Sequence, residues 1–216
     1  MTELVIFDLD GTLLDTIHDL GNSVNYALQK NGFPLHDIET YRYFVGNGIT
    51  KLIERSLPDD QKNVEIIQRV RQDFMIHYIP HSEDLTRPYQ GIPEVLYTLQ
   101  QKGIQLAVAS NKVQLATERV VNHFFPSVHF AAVLGQREGF PVKPDPSILL
   151  SIMEQTAVSK VNTLYVGDSG VDVLTAKHAG LSFVGVLWGF RPQSELEALG
   201  AVSFVHTPGE ILHYIK

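Results

Sequence analysis

The sequence predicts an α/β protein: a parallel sheet flanked by helices, with an all-helical segment inserted after the first strand. Three observations predict it. From Pro88 onward, short apolar runs alternate with segments of helical period, the pattern that builds a parallel sheet through crossover helices. The first apolar run, Leu4-Val5-Ile6-Phe7, does not alternate with polar residues, as befits a strand buried on both faces. Between about residues 16 and 81 only helical spacing occurs, so the chain leaves the sheet after one strand and later returns to it.

The first strand ends on Asp8 and Asp10, followed by Gly11 and Thr12. Asp and Gly are poor strand formers, and such a pair can simply cap a turn. Two carboxylates at the lip of a buried strand point instead to a site, because unpaired charge beside a core is costly and open parallel sheets bind ligands there. Ile17 to Lys30 then carries Ile17, Leu20, Val24, Ala27 and Leu28 at helical spacing and stops at Asn31-Gly32. Tyr41 to Gly46 reads as a short helix, Gly46-Asn47-Gly48 as a loop, and Ile49 to Leu57 as another helix. Pro58-Asp59-Asp60 reads as the start of a helix running to about Tyr78, striped by Val64, Ile67, Val70, Phe74 and Tyr78. An insert rooted beside Asp8 and Asp10 is placed to cover them as a lid, the alternative being a subdomain that only adds bulk.

Pro93 opens a helix that ends at Lys102-Gly103. Ile104 to Ala109 is the second strand, ending on Ser110-Asn111-Lys112, and a helix runs from about Gln114 to Phe124. Val128 to Leu134 is the third strand, and Lys143-Pro144 precedes a helix from Asp145 to Thr156. Thr163 to Val166 is the fourth strand, ending on Gly167-Asp168-Ser169, with a helix from Val171 to Ala179 stopped by Gly180. Ser182 to Leu187 is the fifth strand, and Val202 to Val205 suggests a short edge strand.

Composition narrows the function classes. With 216 residues the chain can bury a substantial core. A net charge of −7 argues against a general nucleic-acid binder, which needs a basic footprint. The absence of cysteine removes disulfides, thiolate metal sites and a cysteine nucleophile together. No run approaches a membrane span, and the amino terminus lacks the basic and apolar regions of a signal peptide, so a cytoplasmic enzyme is expected.

The strand ends supply Asp8 and Asp10, Ser110 and Asn111, and Asp168 with Asp172 one turn on, while Lys143 comes from a loop before a helix. Singly, each could be a helix cap, a solvated lysine or a first-turn acid suited to the helix dipole. The topology, however, brings them all to one edge of one sheet. Carboxylates with oxygen-only companions suit Mg²⁺, and no histidine pair at ligand spacing suggests zinc. One carboxylate can accept a phosphoryl group, a lysine and a hydroxyl can hold its oxygens, and a neighbouring acid can serve the leaving group and then water.

Asp8-Leu9-Asp10-Gly11-Thr12, Ser110-Asn111, Lys143 and Gly167-Asp168-Ser169-Gly170-Val171-Asp172 resemble, in order, the four motifs of the haloacid dehalogenase superfamily. The resemblance implies a Rossmann-like parallel-sheet core, comprising residues 1–15 and 82–216, with a small helical cap over residues 16–81. It makes Asp8 the nucleophile and Asp10 the general acid/base. Mg²⁺ would be held by Asp8, the backbone carbonyl of Asp10 and Asp168, with Asp172 in support. Thr12, Ser110, Asn111 and Lys143 would bind the phosphoryl group. Asp10 is absent from the superfamily's true dehalogenases, which work without Mg²⁺, so a phosphatase is implied.

Within the superfamily, Gly46-Asn47-Gly48, Thr86-Arg87-Pro88-Tyr89, Trp188-Gly189-Phe190 and Gly200-Ala201 resemble phosphoglycolate phosphatases. The implied substrate is a small phosphorylated metabolite, 2-phosphoglycolate foremost, and the implied state a monomer or homodimer. Gly46, Asn47 and Gly48 would choose the substrate from the cap, and either Lys51 or Arg55 would pair with a glycolate carboxylate, unless both are merely solvated. The rivals are a β-phosphoglucomutase-like mutase, a pyrophosphatase of the same superfamily, and a catalytically idle phospho-ligand sensor.

Overall fold

The computed structural model describes residues 1–215. β1 (Leu4–Phe7) is followed by the two-residue β2 (Leu14–Asp15) and by four helices: α1 (Ile17–Lys30), α2 (Tyr41–Phe44), α3 (Ile49–Ser56) and α4 (Val64–His81). The chain returns through β3 (Arg87–Pro88) and then alternates: α5 (Ile92–Gln101), β4 (Gln105–Val113), α6 (Gln114–Phe124), β5 (Phe130–Gln136), α7 (Ser147–Thr156), β6 (Thr163–Gly167), α8 (Gly170–Ala179), β7 (Ser182–Val186), α9 (Gln193–Ala198) and β8 (Phe204–Val205). The main sheet has the order β5-β4-β1-β6-β7-β8 and every pairing in it is parallel.

β1 is central, and its four apolar residues divide between two cores. Val5 and Phe7 pack with α5 through Ile92, Val95, Leu96 and Leu99. Leu4 and Ile6 face the opposite layer, with Leu149 and Ile152 of α7 and with Tyr165. This is why the run lacks alternation: both faces of the strand are dry.

The helices between β2 and β3 build an apolar cluster of their own from α1, α3 and α4, joined by Ala116 and Phe190 from the sheet side. At the root of this segment β2 pairs antiparallel with β3, Asp15 opposite Arg87. The buried Asp19 carboxylate then accepts the Leu85 and Thr86 amides and the Thr86 hydroxyl, at 2.8 to 3.1 Å. Strands of two residues carry no readable periodicity, so this ribbon is not foreseeable from spacing.

Some boundaries differ from expectation for local reasons. Asp59–Gln61 makes only a 3₁₀ turn, and α4 begins afterwards because the Asn63 side chain accepts the Ile66 amide at 2.9 Å. The same helix continues past Tyr78, with Pro80 in its last turn. Ser110, Asn111 and Lys112 lie inside β4 rather than after it, where the pairing with β5 shifts register between Ala109 and Val113. The helix expected from Asp145 starts at Ser147, since the Asp145 side chain accepts the Ser147 amide at 2.9 Å. The short α9 and a 3₁₀ segment at Pro208–Tyr214 complete the chain.

Candidate active site

The strand ends converge as the topology requires. β1 is hydrogen-bonded to β4 on one side and β6 on the other, so Asp8, Ser110 and Asp168 emerge side by side at one lip. Gly11 turns the chain there with φ +88°, a conformation that costs a residue with a Cβ. A Cβ at Gly11 would also lie 2.3 Å from the Asp168 carboxylate. The glycine is therefore required twice over, by the turn and by the close approach.

Lys143 is the centre of the charge network. Its side chain is 2% exposed, and Nζ donates to Asp8 Oδ1 at 2.8 Å, Asp172 Oδ1 at 2.8 Å, the Ala109 carbonyl at 3.0 Å and the Tyr165 hydroxyl oxygen at 3.0 Å. A lysine this deep must be paired with charge and hydrogen-bonded. Asp172 is its stable partner. As the third residue of α8 it closes a capping box with Ser169, and its remaining acceptor sites take the Tyr165 hydroxyl at 2.6 Å and the Ser169 hydroxyl at 2.6 Å. Burial alone would raise the Asp172 pKa, but the Lys143 ammonium beside it holds it below the usual carboxylate value.

Asp8 and Asp168 are compensated less well. Burial, followed by the charge of Asp172, pushes Asp8 well above its ordinary pKa and raises Asp168 to about 7. Asp168 accepts the Phe190 amide at 2.7 Å and, at 3.4 Å, the Thr12 hydroxyl. Asp8, Asp168 and Asp172 each offer a carboxylate oxygen within 4.8 Å of the others, all three buried. Among the described residues Lys143 is the only cation hydrogen-bonded to this trio. Three acids against one ammonium leave excess negative charge in a buried place, and the donors are all oxygen. The residues thus fit a hard divalent cation, with open acceptor sites on Asp8 and Asp168 and none left on Asp172.

Asp10 faces a different cation. Its two oxygens lie 2.7 and 3.0 Å from Nζ of Lys112, a residue whose role the motif pattern does not disclose. Lys112 lies in the stretch of β4 where the pairing with β5 shifts register between Ala109 and Val113, so strand alternation does not announce which way it faces. Ser110 lines the cleft, and its Oγ accepts the Lys112 amide at 3.2 Å.

The other expected site residues make the following contacts. The Asn111 side chain is a tether: its amide group donates to the carbonyls of Gly46 and Lys143 at 2.9 and 3.0 Å, and its Oδ1 accepts the Lys143 amide at 2.8 Å. The Thr12 hydroxyl turns to Asp168 rather than to the cleft, because the tight turn after Leu9, with the Thr12 amide on the Leu9 carbonyl, folds Thr12 beneath the strand end. Gly46 and Gly48 line the cleft, whereas Asn47 accepts Arg55 Nη2 at 2.7 Å. Arg55 also holds the Phe44 carbonyl, and Lys51 pairs with Glu54. Neither cation lines the cleft, which favours the alternative in which they serve the helical segment rather than a substrate carboxylate.

The loop after β7 closes the site from the side. Trp188 Nε1 donates to the Thr12 carbonyl at 3.0 Å, and a Cβ on Gly189 would fall 2.3 Å from Asp168. Arg191 donates to the Tyr43 and Val45 carbonyls around the end of α2 at 3.1 and 2.9 Å, joining this loop to the helical segment. Among the described residues no helix is long and apolar enough to cross a membrane.

Comparison with known proteins identifies the family. Residues 5–186 match the family model of haloacid dehalogenase-like hydrolases. A phosphoglycolate phosphatase of Mesorhizobium japonicum is 33% identical over 204 residues, covering 93% of this chain and 90% of its own. Another, of Vibrio parahaemolyticus, is 31% identical over 219 residues, covering 99% of this chain and 96% of its own. A crystal structure of a Lactobacillus delbrueckii subsp. bulgaricus protein, provisionally named phosphoglycolate phosphatase, superposes with a TM-score of 0.93 at 30% identity, covering 100% of this chain and 99% of the other. The chain belongs to the haloacid dehalogenase-like hydrolase family.

Proposed function

We propose that this phosphatase hydrolyses 2-phosphoglycolate, with Asp8 as the phosphoryl acceptor. The observation that carries the reading is the Lys143 ammonium, held between Asp8 and Asp172 at 2.8 Å from each. It offsets the charge of a buried nucleophile at the position a phosphoryl group must approach. A carboxylate oxygen of Asp8 attacks phosphorus, the phosphorus–oxygen bond of the ester breaks, and the leaving oxygen takes a proton from Asp10. Asp10 then takes a proton from water as that water attacks phosphorus. Inorganic phosphate leaves and the Asp8 carboxylate is restored. Ser110, Lys143 and the backbone at Asn111 hold the phosphoryl oxygens, while Thr12 steadies Asp168.

Asp8, Asp168 and the backbone carbonyl of Asp10 would hold Mg²⁺, with Asp172 behind them. When bound, the ion supplies positive charge against the phosphoryl oxygens. Residues 16–81 act as a cap on the core of residues 1–15 and 82–216, hinged where β2 meets β3. Gly46 and Gly48 contribute to substrate choice through their backbone, and Asn47 shapes their turn. The cap wall of the cleft is largely apolar, with Leu20, Ile49, Leu52, Phe74 and Met75 among its residues. Such a wall offers a sugar few hydroxyl partners, which favours a small acid over a sugar-phosphate mutase substrate. A panel of phosphorylated metabolites assayed with Mg²⁺ tests the reading. Fastest phosphate release from 2-phosphoglycolate is expected, and isomerised product without phosphate would overturn it.

A further inference from the structure

With Lys51 and Arg55 turned away, the cleft still contains a cation that the phosphoryl chemistry does not occupy. Among the described residues three cationic side chains line it: Lys143, Arg191 and Lys112. Lys143 is saturated by four partners, and Arg191 is committed to cap carbonyls. Lys112 has Asp10 as its one charged partner, its side chain 4% exposed. Its ammonium also sits 4.9 Å from the ring centroid of Tyr78, which α4 brings down from the cap. Tyr78 is 2% exposed and lines the same cleft. Its hydroxyl oxygen lies against the Lys112 ammonium, which it can accept from, while its own proton reaches no acceptor. A buried phenol with no acceptor for its proton leaves a donor facing the cleft, a place where an acceptor atom of a ligand belongs.

Position then identifies the ligand atom. Asp10 serves the ester oxygen, and Lys112 touches Asp10, so Lys112 stands one side chain from that oxygen, where the first substituent of the leaving group lies. As Asp10 turns to the ester oxygen, the Lys112 ammonium loses its counter-charge in a site screened from water, a strongly unfavourable state. An anionic group on the substrate, close to the ester oxygen, restores the pairing and meets the Tyr78 hydroxyl as well. We propose that Lys112 and Tyr78 together bind the carboxylate of the substrate and set the preference for small phosphorylated carboxylic acids over neutral phosphomonoesters. The proposal rests on the phosphatase reading above. Because Lys112 belongs to the sheet and Tyr78 to the cap, the subsite is complete only where the two meet.

A matched pair of esters tests it: 2-phosphoglycolate and ethylene glycol monophosphate, which carries a hydroxymethyl group in place of the carboxylate. Wild-type protein is expected to favour the acid in kcat/KM. Lys112→Met is expected to lower kcat/KM for the acid roughly tenfold to a hundredfold more than for the neutral ester, and Tyr78→Phe to act in the same direction by a smaller factor. Equal losses on both esters would overturn the proposal, since Lys112 would then merely hold Asp10. Wild-type turnover of neutral esters without the acid would overturn it and leave a phosphatase standing. No turnover of any ester would overturn the phosphatase reading beneath it. Should Lys112→Met unfold, Lys112→Gln, which can still hydrogen-bond Asp10, gives the same comparison.

Discussion

Lys143 and Asp172 form a fully buried ion pair, Nζ to Oδ1 at 2.8 Å, with side chains 2% and 0% exposed. Such a pair is sustained by its surroundings, here the Tyr165 hydroxyl and the capping box at Ser169. Removing one partner strands the other. Lys143→Met is expected to lose about 3–5 kcal/mol of stability near neutral pH and all measurable turnover. Urea unfolding beside a phosphate-release assay checks both, and a variant of native stability and activity would contradict this description of the network.

The raised pKa values carry a pH dependence with a definite sign. Asp168 is pushed up to about 7 by burial and by Asp172, above its ordinary value near 4. A carboxyl raised on folding contributes stability below its unfolded pKa, and that contribution is lost as pH rises through the folded value. Asp8 is raised in the same direction. Metal-free protein is therefore expected to lose stability between about pH 4 and about pH 7, and Mg²⁺ to restore it by neutralising the ionised acids. Thermal unfolding with EDTA or with Mg²⁺, at about pH 5.5 and about pH 8, checks this. The shift produced by Mg²⁺ should be larger at the higher pH, and equal shifts would contradict it.

Asp19 ties the departing chain to the returning one through the amides of Leu85 and Thr86 and the Thr86 hydroxyl. Asp19→Ala leaves those buried donors without an acceptor. A loss of about 2–3 kcal/mol is expected, with faster proteolysis around residues 82–88. Denaturant titration and limited proteolysis measure it, and a loss below about 0.5 kcal/mol would show that Asp19 does not tie these segments together.

Gly189 approaches Asp168 so closely that a methyl group there would lie 2.3 Å from the Asp168 Cβ and 2.5 Å from the Gly11 carbonyl oxygen. Gly189→Ala must displace the loop, the Phe190 amide and Asp168 together. Turnover is expected to fall about a hundredfold or more, as small misplacements at a reacting centre do, with the apparent Mg²⁺ requirement raised. Unchanged activation by Mg²⁺ would show that the loop does not position Asp168.

What could be read in advance followed from chemistry carried by single segments. The run Leu4–Phe7 discloses a doubly buried strand, and Asp8, Asp168 and Lys143 are unusual enough at strand ends and loops to announce a site. Lys112 was hidden because its meaning depends on the register shift late in β4, which only the partner strand reveals. For Lys51 and Arg55 the sequence leaves both directions open, because a cation on a surface helix can face either way and the choice rests on Glu54, Asn47 and the Phe44 carbonyl. Asn111 and Thr12 hold motif positions, and their side-chain contacts with Gly46, Lys143 and Asp168 close over distances that local spacing does not encode. The β2–β3 ribbon is too short to have a period at all.

The central claim is that Asp8 carries the phosphoryl group, and acid quenching during turnover tests it most directly. Protein mixed with Mg²⁺ and 2-phosphoglycolate radiolabelled in the phosphoryl group is quenched within the first turnovers, digested, and its labelled peptide sequenced. Label on the peptide containing Asp8, labile to hydroxylamine and missing from Asp8→Asn, is the predicted result. Label on any other residue, or undiminished phosphate release by Asp8→Asn, would contradict the account.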